Sequence, residues 1–206
     1  TVLGSPSRLL ALSGDGLTVA FATSANAGDV IPGTTDNSVI GLDHYLFDVT
    51  TGQRHLVNHA ASDPLTTSTE GRLMFDHPSS MSTDGRYLVY KNGSNNLVDL
   101  QSAGNSDAWY LYDAFTGSST LITRSEADPL QPLGGEFARI TADGQYVVFT
   151  SVHSGFTATD GGTTGNSNED GDVYRYRVSD GSIALVTHQS GDPTVPSNYS
   201  GDVFGR

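Results

Sequence analysis

The chain has 206 residues, 36% of them hydrophobic, which is enough for one sizeable core but not for two ordinary domains. Ten Lys and Arg against 23 Asp and Glu give a formal net charge of −13, a balance that repels phosphate backbones and excludes nucleic acid as a partner. The absence of cysteine removes disulfides, thiolate metal sites and a cysteine nucleophile together, and no apolar run approaches the ~20 residues of a membrane span. Lys91 is the only lysine, while Gly, Ser, Thr, Asp and Asn make up 99 residues, a composition of strands and turns.

In chain order, one phrase occurs three times. Each unit opens with a short strand (9–12, 79–81 and 137–140) that runs into an Asp-Gly turn. The turns are Ser13-Gly14-Asp15-Gly16, Ser82-Thr83-Asp84-Gly85 and Thr141-Ala142-Asp143-Gly144. An alternating apolar run follows each turn: Val19-Ala20-Phe21, Tyr87-Leu88-Val89-Tyr90 and Tyr146-Val147-Val148-Phe149. After a long connection comes a hairpin. Tyr45-Leu46-Phe47, Tyr110-Leu111-Tyr112 and Tyr174-Arg175-Tyr176 lead to turns at Gly52, Gly117 and Gly181, and then to a fourth strand. These glycines lie 65 and 64 residues apart, and so do Asp63-Pro64, Asp128-Pro129 and Asp192-Pro193. Four antiparallel strands repeated at one period predict an all-β fold, a β-propeller whose blades cover one another. The predicted units are 1–62, 63–127 and 128–191, with 192–206 as a linker and the start of a further blade.

The Asp-Gly phrases resemble the Ser-x-Asp-Gly signature of TolB-type, WD40-like (PD40) propeller repeats. The Thr51-Gly52 and Thr116-Gly117 hairpins resemble the bacterial exported subset of those repeats. The resemblance spans essentially the whole chain and implies the fold. Such blades serve as interaction scaffolds, as gating domains of serine peptidases and in some lyases, so it implies no single function. Propellers close with 4–8 blades, so three blades of about 65 residues are expected to form part of a larger ring of six to eight blades. The expected partners are the remaining blades of the same polypeptide, a second copy completing the ring, or another protein. Phe204-Gly205-Arg206 resembles Phe137-Ala138-Arg139 and reads as the start of a fourth blade.

Function is expected in the long connections 24–42, 92–106 and 152–171, since rim loops on a rigid scaffold usually carry it. In the third, Asn166, Asn168, Asp170 and Asp172 place oxygen side chains at alternate positions around Gly171, a spacing suited to calcium; the competing reading is a polar turn that caps its own backbone. Weaker calcium candidates are Asp36 with Asp43, and Asn105 with Asp107. The histidines, His44, His55, His59, His77, His153 and His188, are too scattered for a metal centre; His59 and His188 share a repeat slot and read as solvated outer-strand positions. No Gly-x-Ser-x-Gly nucleophile motif occurs, and Asp15, Asp84 and Asp143 read as turn residues. Trp109, Tyr110 and Tyr112, with Tyr45, Phe47, Tyr174 and Tyr176 in register, read as an inter-blade packing layer. Phe156 is the only aromatic in the three long connections. The sequons at Asn92 and Asn198 permit glycosylation in a secreted eukaryotic setting.

The sequence thus points to a non-enzymatic exported scaffold, extracellular, at the cell surface or periplasmic, that mediates protein–protein contact and holds structural Ca2+ in a rim loop. The alternatives are part of a propeller-containing peptidase, lyase or hydrolase, and a carbohydrate-binding module.

Overall fold

The computed structural model describes residues 6–38, 41–69, 79–102, 107–153, 155–157 and 171–196. The first blade contains β1 (Ser7–Leu12), β2 (Thr18–Thr23), a single helical turn α1 (Ala27–Val30), β3 (Asp43–Asp48) and β4 (Arg54–Leu56). A hairpin of β5 (His59–Ala60) and β6 (Asp63–Thr67) follows. The second blade is β7 (Ser80–Met81), β8 (Tyr87–Asn92), β9 (Ala108–Asp113) and β10 (Ser118–Leu121). The third is β11 (Phe137–Ile140), β12 (Tyr146–Ser151), β13 (Asp172–Arg177) and β14 (Ile183–Leu185), followed by a hairpin of β15 (His188–Gln189) and β16 (Asp192–Pro196). Each blade is a four-stranded antiparallel meander in sequence order, so the chain forms three blades of a β-propeller. The three sheets span 7–56, 80–121 and 137–185. The two short hairpins straddle the junctions at 62/63 and 191/192, because Asp63 and Asp192 open a strand there.

The Asp-Gly turns owe their recurrence to side-chain chemistry. Asp15 Oδ1 accepts from the Ser13 hydroxyl (2.6 Å) and from Leu17 N–H (2.9 Å), and Ser13 Oγ accepts from Thr18 N–H (2.9 Å). Ser82 with Asp84, and Thr141 with Asp143, repeat the same three bonds. Adjacent turns also touch: Asp15 N–H donates to the Thr83 carbonyl (3.1 Å) and Thr83 N–H to the Ala142 carbonyl (2.8 Å). The Asp-Gly turns therefore form a connected row along one rim, while the long connections occupy the other.

Alternation along the central strands directs one set of side chains to the preceding blade and the other to the next. Leu88, Tyr90, Tyr110, Tyr112 and Leu121 of blade two pack on Ala20, Leu46 and Val57 of blade one. The equivalent Val147, Phe149, Tyr174, Tyr176 and Leu185 of blade three pack on Val89, Trp109, Leu111 and Ile122 of blade two. Of the recurrent aromatics, Trp109, Tyr110, Tyr112, Tyr174 and Tyr176 thus lie between blades, as their register indicated, while Tyr45 and Phe47 stand on the outer face of blade one. Burial of each large side chain contributes about 1.5–3 kcal/mol. Phe156 is buried against Phe149 and Tyr174, ring centroids 5.1 and 4.8 Å away, and offers no exposed stacking platform.

Gly85 shows how tightly the turn row is packed. Its φ is +72°, and a Cβ there would lie 2.7 Å from Thr18 Cβ; Gly16 has the same backbone geometry (φ +74°) with open space around it. Gly16→Ala is expected to cost about 1–3 kcal/mol from backbone strain alone, and Gly85→Ala clearly more, because blade one must also shift. Urea denaturation of the two variants side by side checks this difference.

Candidate functional site

The rim opposite the Asp-Gly turns carries a polar network at the head of each third strand. In blade one, His44 N–H donates to Asn58 Oδ1 (2.7 Å), and Asn58 Nδ2 donates to Asp43 Oδ1 (2.9 Å). Blade three repeats the device with a hydroxyl: Val173 N–H donates to Thr187 Oγ1 (3.1 Å), which donates to Asp172 Oδ1 (2.8 Å). In blade two, Trp109 N–H donates to Thr123 Oγ1 (2.9 Å), and Ala108 occupies the position of the aspartate. Asp43 and Asp172 are therefore equivalent, and Asp107 lies one residue before that slot.

Blade one elaborates this arrangement. The connection 24–42 enters through α1, where Asn26 caps Gly28 N–H (3.0 Å), and then turns back along β6. Thr67 Oγ1 accepts from both Asn37 N–H (2.7 Å) and Ser38 N–H (3.0 Å). This places Asp36 beside Asp43, with the Ser38 hydroxyl 2.7 Å from Asp36 Oδ1 and 3.3 Å from Asp43 Oδ2. Asp43 is only 2% exposed, and burial pushes its carboxyl up to about 6, against the bond from Asn58 and with the Asp36 charge adding to the rise. Burial lowers neighbouring His44 to about 4, with its Nδ1 unpartnered and its ring edge-on to Tyr90. Asn58 continues the network to Ser68 Oγ (3.4 Å), and Ser68 Oγ accepts from Ser94 Oγ (2.9 Å), crossing into blade two. There Gln101 Nε2 donates to the Ser94 carbonyl (2.9 Å) and to the Tyr110 hydroxyl (2.7 Å).

Of the residues singled out in the sequence, Asp36 and Asp43 are brought together. Asp172 is buried at the head of β13; Asn166, Asn168, Asp170 and Asn105 lie outside the described residues, as do His77 and the sequon at Asn198. Two readings need correction. His59 is buried, with its ring nitrogens 2.8 Å from the carbonyls of Ala60 and Gly117, because the chain leaves β4 after Leu56 and turns His59 under the neighbouring hairpin; His188 is exposed. Asn92 is fully buried and its Oδ1 accepts from Ser94 N–H (2.7 Å), so this sequon presents no accessible amide. Sequence reasoning missed Ser38, Tyr45 as a polar group, and Asn58. Asn58, Thr123 and Thr187 recur at the spacing of the turn glycines, and that recurrence was the signal available.

Among the described residues no group of three or more His, Cys, Asp or Glu side chains is placed to hold a metal ion. Also among them, no helix is long and apolar enough to cross a membrane. No family model matches the sequence, and no curated protein matches it. Among solved structures, the chain is similar to TolB from Acinetobacter baumannii, with 20% identity, 90% of this chain and 33% of that chain covered, and a TM-score of 0.48. The propeller domain of the trilobed protease from Pyrococcus furiosus is 9% identical over 87% of this chain and 41% of that one, with a TM-score of 0.48. Oligogalacturonate lyase from Vibrio parahaemolyticus is 12% identical over 85% and 38%, with a TM-score of 0.44. The chain thus spans between a third and less than half of these proteins' lengths. The propeller architecture rests on strand order and blade packing, and the likenesses assign no activity.

Asn58→Ala would leave His44 N–H and Asp43 Oδ1 without protein partners in a buried setting. Two such groups at about 1–3 kcal/mol each predict a loss of about 2–6 kcal/mol, to be read by chemical denaturation. Asn58→Asp should fare no better, since it sets a carboxylate against Asp43.

Proposed function

We propose that the chain works as a non-enzymatic, exported or cell-surface propeller scaffold, and that its outermost blade faces are covered by further blades of the same repeat class in the same polypeptide. The observation that supports this is the outer face of blade one. Leu9, Leu12, Val19, Phe21, Phe47 and Leu56 occupy there the positions that blades two and three bury against their predecessors. Leu9 is 71% and Leu12 57% exposed, and Val19, Phe21 and Phe47 are half-buried. An apolar sheet face of this kind calls for a neighbour.

The opposite face, on blade three, differs in chemistry. Arg175 stands where blades one and two have Leu46 and Leu111, and Arg139 where they have Ala11 and Ser80. If a second copy closed the ring, these arginines would meet the face of blade one that Leu9, Leu12 and Phe47 occupy, where Arg54 adds a further positive charge over the Phe47 ring. Bringing guanidinium groups against apolar side chains and a like charge is costly. A blade of complementary, acidic character from elsewhere in the polypeptide suits that face better. The long connections on the other rim remain free for a protein partner, in keeping with the acidic, turn-rich composition.

In the intact polypeptide, the pair Leu9→Asp with Leu12→Asp is expected to destabilise the propeller by about 3 kcal/mol or more, while Leu100→Asp, exposed but away from this face, leaves it unchanged. Thermal denaturation reads the difference. A discrete dimer of the 206-residue chain in sedimentation, abolished by the same leucine pair, would overturn same-chain closure in favour of a second copy.

A further inference from the structure

The side-chain cluster at the head of β3 contains more acceptors than hydrogens. Asp36 and Asp43 both approach the Ser38 hydroxyl, at 2.7 and 3.3 Å, but one hydroxyl carries one hydrogen. The nearer carboxylate takes it, which leaves Asp43 Oδ2 without a donor of its own. Asp43 Oδ1 is occupied by Asn58 (2.9 Å), and Asp36 Oδ2 receives only a long bond from Ala27 N–H (3.3 Å). Among the described residues neither carboxylate has an ion-pair partner: the two ion pairs there are Arg86 with Asp113 and Arg177 with Asp180.

A second observation points into the same space. Tyr45 follows Asp43 by two residues and so shares its face of β3. Its side chain is fully buried, and among the described residues its hydroxyl has no hydrogen-bond partner. The charges of Asp43 and Asp36 both act on that hydroxyl. A buried phenol oxygen without a partner and a carboxylate oxygen without a donor of its own thus lie on one face of β3, and a third species could satisfy both. With two carboxylates, one hydroxyl and one phenol oxygen around it, that species is best a hard cation.

We infer that Asp36, Ser38, Asp43 and Tyr45 form a binding site for a divalent cation, with Ca2+ as the ion best suited. Calcium accepts irregular sets of oxygen ligands and tolerates neutral ones, whereas magnesium demands near-octahedral geometry and gives up its waters reluctantly. A site with two carboxylates, one of them partly exposed, suggests an affinity of order 10⁻⁴–10⁻³ M, the range of extracellular modules. The site belongs to blade one: blade two has Ala108 at the Asp43 position and cannot reproduce it. Bound there, the ion would tie the connection 24–42 to the head of β3, and so fix the rim loop of the first blade.

The test uses the chain after chelator treatment, with terbium as a calcium stand-in that luminesces by energy transfer from a nearby tyrosine. Terbium emission under tyrosine excitation is expected, displaced by calcium and not by equimolar magnesium. Asp36→Asn should weaken calcium binding by about tenfold or more, Tyr45→Phe should remove most of the sensitised emission, and Asp172→Asn should change neither. Calcium should also raise the thermal midpoint of the wild type and not that of Asp36→Asn. Ser38→Ala serves as a second variant if Asp36→Asn does not fold. Equal calcium responses in wild type and both variants, loss of the response in Asp172→Asn, or no response at concentrations well above ~1 mM would each overturn the site.

Discussion

Every other feature of this protein depends on the burial of one blade's aromatic face against the next blade. A four-stranded meander is too thin to enclose a core, so each sheet has two faces and must find a neighbour for both. Blade two does so fully: its tyrosines and leucines lie on blade one, and its Trp109, Leu111 and Ile122 lie under blade three. Among the described residues, blades one and three are each covered on one side only, and the asymmetry between the leucines of one open face and the arginines of the other gives the chain a polarity. The same packing fixes the two rims, because once the faces are committed the loops have nowhere to go but the ends of the strands.

The two rims then diverge in character. The Asp-Gly rim is a row of self-contained turns, each satisfied by its own serine or threonine and linked to the next by one backbone bond. Each carboxylate there holds its turn through Oδ1, which takes one hydroxyl and one backbone N–H. On the other rim, the aspartate at the head of β3 or β13 is held at one oxygen by the residue two positions beyond the fourth strand, and in blade one the other oxygen of Asp43 meets Ser38 of the long connection. Variation enters at that point: an asparagine and a second acid in blade one, a threonine in blade three, an alanine in blade two. One scaffold contact is thus repeated with different surroundings in each blade.

The repeat made much of this legible. The turn glycines, the alternating strands and the aromatic register located the strands of all three blades and their packing layer, since each rests on local geometry and period-two alternation. The assignment of His59 as a solvated residue failed because it assumed that the fourth strand continues past Leu56; the chain instead turns, and the ring is held between two carbonyls. Asn92 looked available for the opposite reason, as the residue that ends β8 and whose side chain folds back on Ser94. Neither outcome follows from spacing, because both depend on what a neighbouring segment brings within hydrogen-bond reach.

The sequence by itself determined that the chain is all-β, that it repeats every 65 residues or so, and that its blades pack through tyrosines. These properties follow from residue order alone, through turn chemistry and alternation. Only the tertiary structure decided that Asp36 and Asp43 meet over one serine hydroxyl, that Tyr45 presents an unpaired oxygen on their side of the strand, and that Asn58 bridges the blade to its neighbour. Those facts join residues from a loop, a strand and the segment beyond β4 at distances of about 3 Å, and convergence of that kind is set by how the chain closes on itself, which no local pattern records.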